Sequence, residues 1–256
     1  MKIEVFLTPS EIEEHHLKEK TAVVIDVLRA STSIITALQN GAKEVIPVDE
    51  VESALKISSS LFAGQAMLCG ERGGKIIEGF DLGNSPETYT PEIVQGKSLV
   101  FCTTNGSKAL VKARHARALV VAAFANISVV KEFLLRPENS EHNLVIICAG
   151  RESHFSLEDA LCAGLLIDRL LTDKKAKVSI QLSDTALAVR VLYEKFRGNE
   201  TATLVESEHG KYLASIGFAK DVVTCAKIDV SQALPIFEDS VIHLHKVETR
   251  KFKRVD

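Results

Sequence analysis

The sequence predicts an α/β protein with three layers, in which helices cover both faces of a mixed or largely parallel sheet. Nine short apolar runs have the length and composition of buried strands, and helical patterns separate most of them. One arrangement also occurs three times: an apolar run, a polar loop, and then a segment with helical spacing. Such strand–loop–helix units are typical of α/β sheets.

The predicted strands are apolar segments bounded by polar or turn-forming residues. They lie at residues 2–7, 22–25, 44–48, 66–69, 98–101, 118–124, 143–149, 178–182 and 241–245. The predicted helices have apolar residues three and four positions apart. They lie at residues 31–38, 50–62, from the TTNGS motif to about 114, at 127–135, in the LEDALCAGLL segment, and at 183–196, 206–217 and 221–227.

Local signals mark several helix ends. Ser10 with Glu13 suggests a capping box on a short helix, and Ser31 is the predicted N-cap of the next helix, which Gly41 ends. The polar segment 137–143 begins with proline and is the best candidate for a boundary. Together with the strand–loop–helix units on either side of Pro137, this boundary predicts two similar α/β halves, residues 1–136 and 137–256.

Composition excludes several classes of function. The 256 residues are 46% hydrophobic and carry a net charge of −3 with no tryptophan, which argues against binding of nucleic acid. The first apolar run contains Glu4, unlike a signal peptide, and no apolar stretch is long enough to cross a bilayer. The five cysteines are scattered, as in proteins with reduced thiols. We expect a cytoplasmic protein without a membrane partner.

The first strand–loop–helix unit, residues 21–38, places polar groups where a strand ends and a helix begins. Its loop holds Asp26, Arg29, Ser31 and Thr32. Free N–H groups and the helix dipole favour an anion at such a position. The alternative is a capped helix with an Asp–Arg ion pair that has no part in binding.

The segment 70–86 is a long loop with five glycines and a proline in 17 residues. It contains Glu71 and Arg72 near its start. A loop of this length without clear periodicity is usually functional or disordered. The alternative is a decorated surface loop.

The second unit carries a candidate anion cradle. Five small or polar residues precede its helix: Thr103, Thr104, Asn105, Gly106 and Ser107. Small residues let backbone N–H groups approach a phosphate, although Asn-Gly is also a common turn. Several acids lie in the first loop, in the glycine-rich loop or at the start of the LEDALCAGLL helix, and their carboxylates are hard oxygen donors that suit magnesium: Asp26, Glu71, Asp81, Glu158 and Asp159. Asp159 also lies three residues after Ser156, where it could be only a capping-box acid.

Several known phosphate-binding or hydrolytic motifs are absent. The sequence lacks a complete P-loop, a G-x-G-x-x-G motif after a strand, and a G-x-S-x-G elbow. No cysteine is followed six residues later by arginine, as a cysteine phosphatase would require.

The order of five motifs resembles the 2-phosphosulfolactate phosphatase family of coenzyme M biosynthesis. The motifs are VVIDVLRASTSI, GERGG…GFDLGNSP, TTNGSKAL, LEDALCAG and DVVTCAKID, and they span residues 23 to about 229. The resemblance implies a magnesium-dependent phosphatase that acts on 2-phospho-3-sulfolactate, with an α/β fold of two similar intertwined halves. Ser107 stands where the family typically has threonine, which keeps the hydroxyl.

On this interpretation, three acids bind magnesium directly or through water: Asp26, Glu71 and Asp159. Magnesium would neutralise phosphoryl oxygens and orient the attacking group. Three nucleophiles remain open. Water activated by a carboxylate and magnesium is preferred, Asp26 as a covalent acceptor is second, and Cys102 is third because no positioned arginine accompanies it.

The remaining site residues would hold a small anionic substrate. Arg29, Ser31, Thr32 and the TTNGS backbone would bind its phosphate, with Arg29 able to form two parallel bonds. Arg72 and Arg151 would bind its carboxylate and sulfonate. The rival hypothesis is a non-catalytic binding module for phosphorylated or sulfonated acids, which would gain nothing from the extra carboxylates. The sequence leaves the oligomeric state open, and a homo-oligomer is one of the possible states.

Overall fold

Strands and helices alternate along the computed structural model, which describes residues 1–61, 66–174, 176 and 178–245. The described strands are β1 (Lys2–Phe6), β2 (Thr21–Ile25), β3 (Glu44–Val48), β4 (Ala66–Arg72), β5 (Lys75–Ile76), β6 (Ser98–Cys102), β7 (Ala118–Ala122), β8 (Leu144–Cys148), β9 (Gln181–Leu182), β10 (Pro235–Glu238) and β11 (Val241–Leu244). All nine predicted strands are therefore confirmed in position, some with shifted ends. Strands β5 and β10 were not predicted.

The helices follow the same alternation. They are α1 (Glu14–Leu17), α2 (Ala30–Gln39), α3 (Val51–Ser60), α4 (Pro91–Val94), α5 (Gly106–Ala113), α6 (Ile127–Leu134), α7 (Pro137–Ser140), α8 (Leu157–Thr172), α9 (Asp184–Phe196), α10 (Glu200–Glu206), α11 (Glu208–Ser215) and α12 (Ala219–Cys225). The predicted end of the third helix, Phe62, lies outside the described residues. None of the described helices is long and apolar enough to span a bilayer.

One mixed sheet of eleven strands organises the described chain, in the order β5-β4-β6-β3-β11-β10-β7-β2-β8-β1-β9. Strands β4, β6 and β3 are parallel to one another, and so are β7, β2, β8, β1 and β9. The antiparallel hairpin β10–β11 joins the two parallel groups. Strands from both sides of Pro137 thus share the sheet, while the division into two halves at this residue stays a prediction.

Helices cover both faces of the sheet, so the predicted three-layer α/β/α class is confirmed. Alternate residues of β2 point to opposite cores, since Ala22 and Val24 pack with α2 and α5 whereas Val23 and Ile25 pack with α6 and α8. All five residues of β2 are buried. A strand buried on both faces has a nearly continuous apolar sequence, which explains the apolar run at this position. The central strand of the first unit is therefore fixed in register by two separate cores.

Two predicted caps are wrong. Helix α2 begins at Ala30 rather than after Ser31, because the Ser31 hydroxyl accepts a hydrogen bond from the Asp26 N–H instead of capping the helix. The Ser10–Glu13 capping box does not form, since the Ser10 hydroxyl bonds the Thr8 hydroxyl in a short 3₁₀ turn.

Two further predictions differ from the structure in detail. The helix predicted at 206–217 starts within α10, which ends before Ser207, the N-cap of α11. The glycine-rich loop begins as a continuation of β4, and β5 pairs back onto it as a tight hairpin. The loop is therefore partly a β-structure that projects beyond the main sheet.

Candidate functional site

The β2–α2 turn holds Asp26 at the first turn of a helix. The Asp26 N–H donates to Ser31 Oγ over 2.9 Å, and the Ser31 N–H returns a bond of 2.9 Å to the Asp26 carbonyl. The Ala30 N–H donates to Asp26 Oδ1 over 3.2 Å. The Thr32 hydroxyl donates to the Val27 carbonyl. Both hydroxyls that we expected to bind phosphate thus stabilise the turn that orients Asp26.

The β4–β5 hairpin holds Glu71 through backbone hydrogen bonds. Glu71 Oε1 accepts from the Thr104 N–H and Oε2 from the Gly74 N–H, each over 2.8 Å. The turn between the strands needs glycine because Gly73 and Gly74 have φ angles of 56° and 77°. Glu71 therefore ties the glycine-rich hairpin to the TTNGS loop and is itself held in place.

The TTNGS loop lies against Asp26 because residue 106 is glycine. A Cβ atom at Gly106 would lie 2.6 Å from the Ala30 Cβ and 2.7 Å from Asp26 Oδ2. Thr103 and Ser107 bond each other, since the Ser107 N–H donates to Thr103 Oγ1 over 3.0 Å and the Thr103 N–H donates to Ser107 Oγ over 2.9 Å. These two side chains shape the loop.

Asp159, near the start of α8, links two strand ends. Its Oδ1 accepts from the Val27 N–H over 2.8 Å, and its Oδ2 accepts from the Gly150 N–H over 3.1 Å. Its own N–H donates to the N-cap Ser156. Burial, followed by the charges of Asp26 and Glu158, raises the pKa of Asp159 well above its ordinary value.

Arg29 is buried and paired. Its Nη1 lies 2.6 Å from Asp221 Oδ2, its Nη2 donates to the Gly74 carbonyl over 2.5 Å, and its guanidinium lies 4.2 Å from the centre of the Phe218 ring. Ser85 donates to the second oxygen of Asp221 over 2.8 Å. Arg29 thus joins the β2–α2 turn to the glycine hairpin and α12 while it lines the cavity described next.

These loops enclose a cavity of about 50 Å³, which is room for several water-sized atoms. Its wall consists of Asp26, Leu28, Arg29, Glu71, Gly73, Gly74, Asn84, Thr104, Asn105, Arg151, Glu152, His209, Tyr212 and Leu213. The cavity opens beside ends of β2, β4, β6 and β8, where ligands of α/β sheets commonly bind.

Acidic and basic side chains share the cavity wall, and the pKa of Asp26 is raised there. Burial raises the pKa of Asp26 to about 6, the charge of His209 and the Ala30 N–H oppose the rise, and the charges of Glu71 and Glu158 add to it. A bound cation or a shared proton would relieve this repulsion.

Two polar side chains of the wall have an unused oxygen. Within the described residues, Asn84 Oδ1 and Thr104 Oγ1 are buried without a hydrogen-bond partner. Asn84 is only 5% exposed, and its carbonyl accepts from Ser33 Oγ over 2.9 Å, which fixes its backbone. Buried polar atoms normally have partners, so a polar group bound at this part of the wall would find two oxygens without a bond inside the protein.

The structure brings some of the predicted site residues together and leaves others outside. Six line the cavity: Asp26, Arg29, Glu71, Thr104, Asn105 and Arg151. Gly106 lies directly behind Asp26. The other predicted residues do not line the cavity, and they form hydrogen bonds with the loops that do: Ser31, Thr32, Thr103, Ser107 and Asp159.

Arg72 and Cys102 lie away from the cavity wall. Arg72 is exposed and donates to the Asp49 carbonyl and to Cys102 Sγ, each over 3.2 Å, so the expectation that no positioned arginine accompanies Cys102 is wrong. Burial raises the pKa of the Cys102 thiol although the charge of Arg72 opposes the rise. A thiol that stays protonated is a weak nucleophile.

The helices α11 and α12 supply site residues that the sequence did not predict. His209 Nδ1 lies 2.8 Å from Glu158 Oε1, and Asp221 pairs with Arg29. Tyr212 donates to the Gly73 carbonyl over 2.9 Å, and the Arg151 guanidinium lies 4.9 Å from the centre of its ring. The motif DVVTCAKID contains Asp221, but no local signal marked His209 or Tyr212.

The described residues contain no group of three or more His, Cys, Asp or Glu side chains arranged to hold a metal ion. Magnesium, however, is usually bound through one or two carboxylates together with water and substrate phosphate. Asp26, Glu71 and the unpartnered Asn84 Oδ1 are oxygen donors of that kind at one cavity, so their chemistry fits magnesium. Asp159 does not line this cavity, and its bonds to the Val27 and Gly150 N–H groups suit a positioning role better.

Known proteins resemble this chain over most of its length. A family model described as 2-phosphosulpholactate phosphatase matches residues 6–240. A protein of Caldanaerobacter subterraneus subsp. tengcongensis is 37% identical over 242 residues, covering 94% of this chain and 98% of that protein. One of Caldicellulosiruptor saccharolyticus is 38% identical, covering 94% and 99%. One of Thermotoga petrophila is 39% identical, covering 88% and 92%. All three are named probable 2-phosphosulfolactate phosphatase.

Proposed function

Because the chain belongs to the 2-phosphosulfolactate phosphatase family, we propose that it hydrolyses the phosphomonoester of 2-phospho-3-sulfolactate, or of a related small phosphorylated acid, with the assistance of magnesium. The observation that carries this proposal is that Asp26, Glu71 and Asn84 all line one cavity. A receptor for an anion has no use for two additional carboxylates, whereas a metal-assisted hydrolase needs them.

We assign the metal to Asp26 and Glu71, with Asn84 Oδ1 as a neutral oxygen donor. When bound, Mg²⁺ would neutralise phosphoryl oxygens and orient the attacking water. Hydrogen bonds from the Thr104 and Gly74 N–H groups hold Glu71 in one orientation, and the β2–α2 turn holds Asp26. Both carboxylates are therefore preorganised by backbone groups.

Positive side chains would bind the two ends of the substrate. Arg29 supplies positive charge at the buried side of the cavity, where a phosphate would be poorly hydrated. Arg151, which is 23% exposed and stacked on Tyr212, would bind the carboxylate or sulfonate at the open side. Glu208 is 96% exposed and 3.3 Å from Arg151, so a substrate anion can readily replace it.

Water is the preferred nucleophile. Asp26 lines the cavity and remains the alternative as a covalent acceptor, while Cys102 is a poor candidate because of its position and its raised pKa. A role in coenzyme M biosynthesis and a cytoplasmic location stay predictions.

A phosphate-release assay tests the proposal. Purified protein is incubated with 2-phospho-3-sulfolactate and with a panel of other small phosphorylated acids, before and after treatment with a chelator. We expect release of phosphate that stops in chelator and returns with added magnesium. Full activity in excess chelator would contradict the metal role, and no release from any compound would contradict the proposed function.

A further inference from the structure

A buried histidine–glutamate pair joins α8 to α11 beside the cavity. Glu158, in the first turn of α8, has a side chain only 2% exposed, and its Oε1 lies 2.8 Å from His209 Nδ1. His209, in the first turn of α11, is 16% exposed and forms part of the cavity wall. A hydrogen bond at Nδ1 fixes the ring orientation and leaves Nε2 as the nitrogen that can meet a ligand.

The surrounding contacts hold His209 in place. Ser207 Oγ caps α11 by accepting from the Gly210 N–H over 3.0 Å, and any side chain at Gly210 would collide with the Leu204 carbonyl. One turn further along α11, Tyr212 donates to the Gly73 carbonyl of the glycine hairpin. The helix is therefore anchored at both sides of the cavity, and His209 is presented from a rigid element.

The pair also acts electrostatically on the site. His209 and Asp26 both line the cavity, and the charge of a protonated His209 opposes the rise in the pKa of Asp26. A buried ion pair is weak evidence for a role in stability, because desolvation offsets much of the attraction. The position of His209 in the same wall as Asp26 and Glu71 points to a role in the chemistry of the site instead.

We propose that His209 is a general acid that protonates the leaving oxygen of the phosphomonoester, and that Glu158 is its positioning residue. This inference rests on the proposed function. In the step, the oxygen of water forms a bond to phosphorus while the ester P–O bond breaks and leaves its electron pair on the ester oxygen. The proton on His209 Nε2 moves to that oxygen, so the product leaves as an alcohol. The attacking water loses one proton to a carboxylate of the cavity, and solvent returns a proton to His209.

The proposal predicts a dependence on the leaving group. The alcohol of 2-phospho-3-sulfolactate is a poor leaving group and needs a proton, whereas 4-nitrophenolate is stable without one. General acid catalysis contributes roughly 10²–10⁴-fold. We therefore expect His209→Gln to lose about 100-fold or more in kcat on 2-phospho-3-sulfolactate and to lose much less on 4-nitrophenyl phosphate.

The ratio of the two rates, measured on one preparation, is the decisive quantity because it does not depend on the folded fraction. Glu158→Gln should shift the ratio in the same direction but less, since an amide oxygen can still accept from Nδ1. The double variant Glu158→Gln/His209→Gln replaces the pair by two amides and avoids an unpaired buried carboxylate. It should give the same ratio as His209→Gln.

The matched control is His243→Gln. His243 also contacts a glutamate, Glu238 at 3.2 Å, but this pair is largely exposed and lies outside the cavity wall. Its ratio should equal that of the parent. Equal losses on both substrates in the His209 variants would overturn the general-acid role while leaving the proposed function intact. A parent inactive on both substrates would overturn the proposed function and this inference together.

Discussion

Arg29 and Asp221 form a buried ion pair between residues 192 positions apart, with Nη1 and Oδ2 separated by 2.6 Å. The pair connects the β2–α2 turn to α12, and the second Arg29 nitrogen binds the Gly74 carbonyl. Asp221 in turn accepts from Ser85. Three segments that are distant in sequence thus meet at one guanidinium, which sets the position of positive charge in the cavity.

Arg29→Lys should reduce activity strongly. Lysine has the same charge but cannot donate in a fixed fork to Asp221 and Gly74 while packing a guanidinium over the Phe218 ring. We expect a loss of roughly 1.5–3 kcal/mol in transition-state stabilisation, the range of a hydrogen bond to a charged group, measured as kcat/KM. Arg136→Lys is the control, since Arg136 also stacks on a phenylalanine, Phe133, but lies outside the cavity wall. A kcat/KM of the Arg29 variant within a factor of two of the parent's would show that the reaction does not need this fixed fork.

The sequence predicted those parts of the fold that depend on local pattern. β2 was recognised because it is buried on both faces and is therefore apolar throughout, and Asp26 was recognised because it ends that run. β10 was missed because it has only four residues and begins with Pro235, which is atypical of a strand inside a sheet. Its antiparallel partners on both sides supply the context that the local sequence lacks.

The predicted site was limited by competition for hydrogen bonds. The hydroxyl groups of Ser31 and Ser107 lie beside helix starts, as expected, but they accept from the backbone N–H groups of Asp26 and Thr103. A side chain that can bond its own loop is not distinguished by sequence from one that faces a ligand. His209 was missed for the opposite reason, because its partner Glu158 is 51 residues away and only the tertiary fold brings them together.

Gly106→Ala should disturb the site and destabilise the protein. The added methyl group would lie 2.6 Å from the Ala30 Cβ and 2.7 Å from Asp26 Oδ2, closer than real contacts allow. Overpacking of this kind costs about 1–3 kcal/mol in the free energy of unfolding. Gly83→Ala is the control, because its nearest neighbour, Ile76 Cβ, would lie at an ordinary 3.4 Å. Denaturant titration of both variants measures the effect, and equal stability would refute the close approach at Gly106.

Glu4→Gln should change stability in a pH-dependent way. Burial favours the neutral form of Glu4, but hydrogen bonds and charges of Lys20 and Lys2 outweigh it and lower its pKa from 4.5 to about 2. A carboxylate with a depressed pKa stabilises the folded state above the pKa of the unfolded chain, and this contribution disappears as pH falls through the folded pKa. The parent should therefore exceed the variant in free energy of unfolding above about pH 5. The difference should shrink between pH 4.5 and 2, and a difference independent of pH would contradict the assignment.

Asp26→Asn distinguishes the mechanisms that remain open. Asp26 is buried at the end of β2 with its carboxylate at the cavity, where a charge is costly unless it is paired or binds a metal. If Asp26 is a magnesium ligand, the variant should bind metal more weakly, and high magnesium should restore part of the rate. If it is the covalent acceptor, turnover should stop at every magnesium concentration while substrate still binds.

Magnesium titration of the rate, with thermal melts of the same preparations, separates these outcomes. Asp81→Asn is the matched control, because Asp81 accepts from the Leu68 N–H, outside the cavity wall, and its variant should keep the parent's magnesium dependence. We expect the ligand outcome, since Asp26 and Glu71 together with Asn84 supply the oxygen donors at the cavity. An Asp26 variant with the parent's rate, the parent's magnesium dependence and a lowered melting temperature would remove this residue from the site and leave it a structural role at the β2–α2 turn.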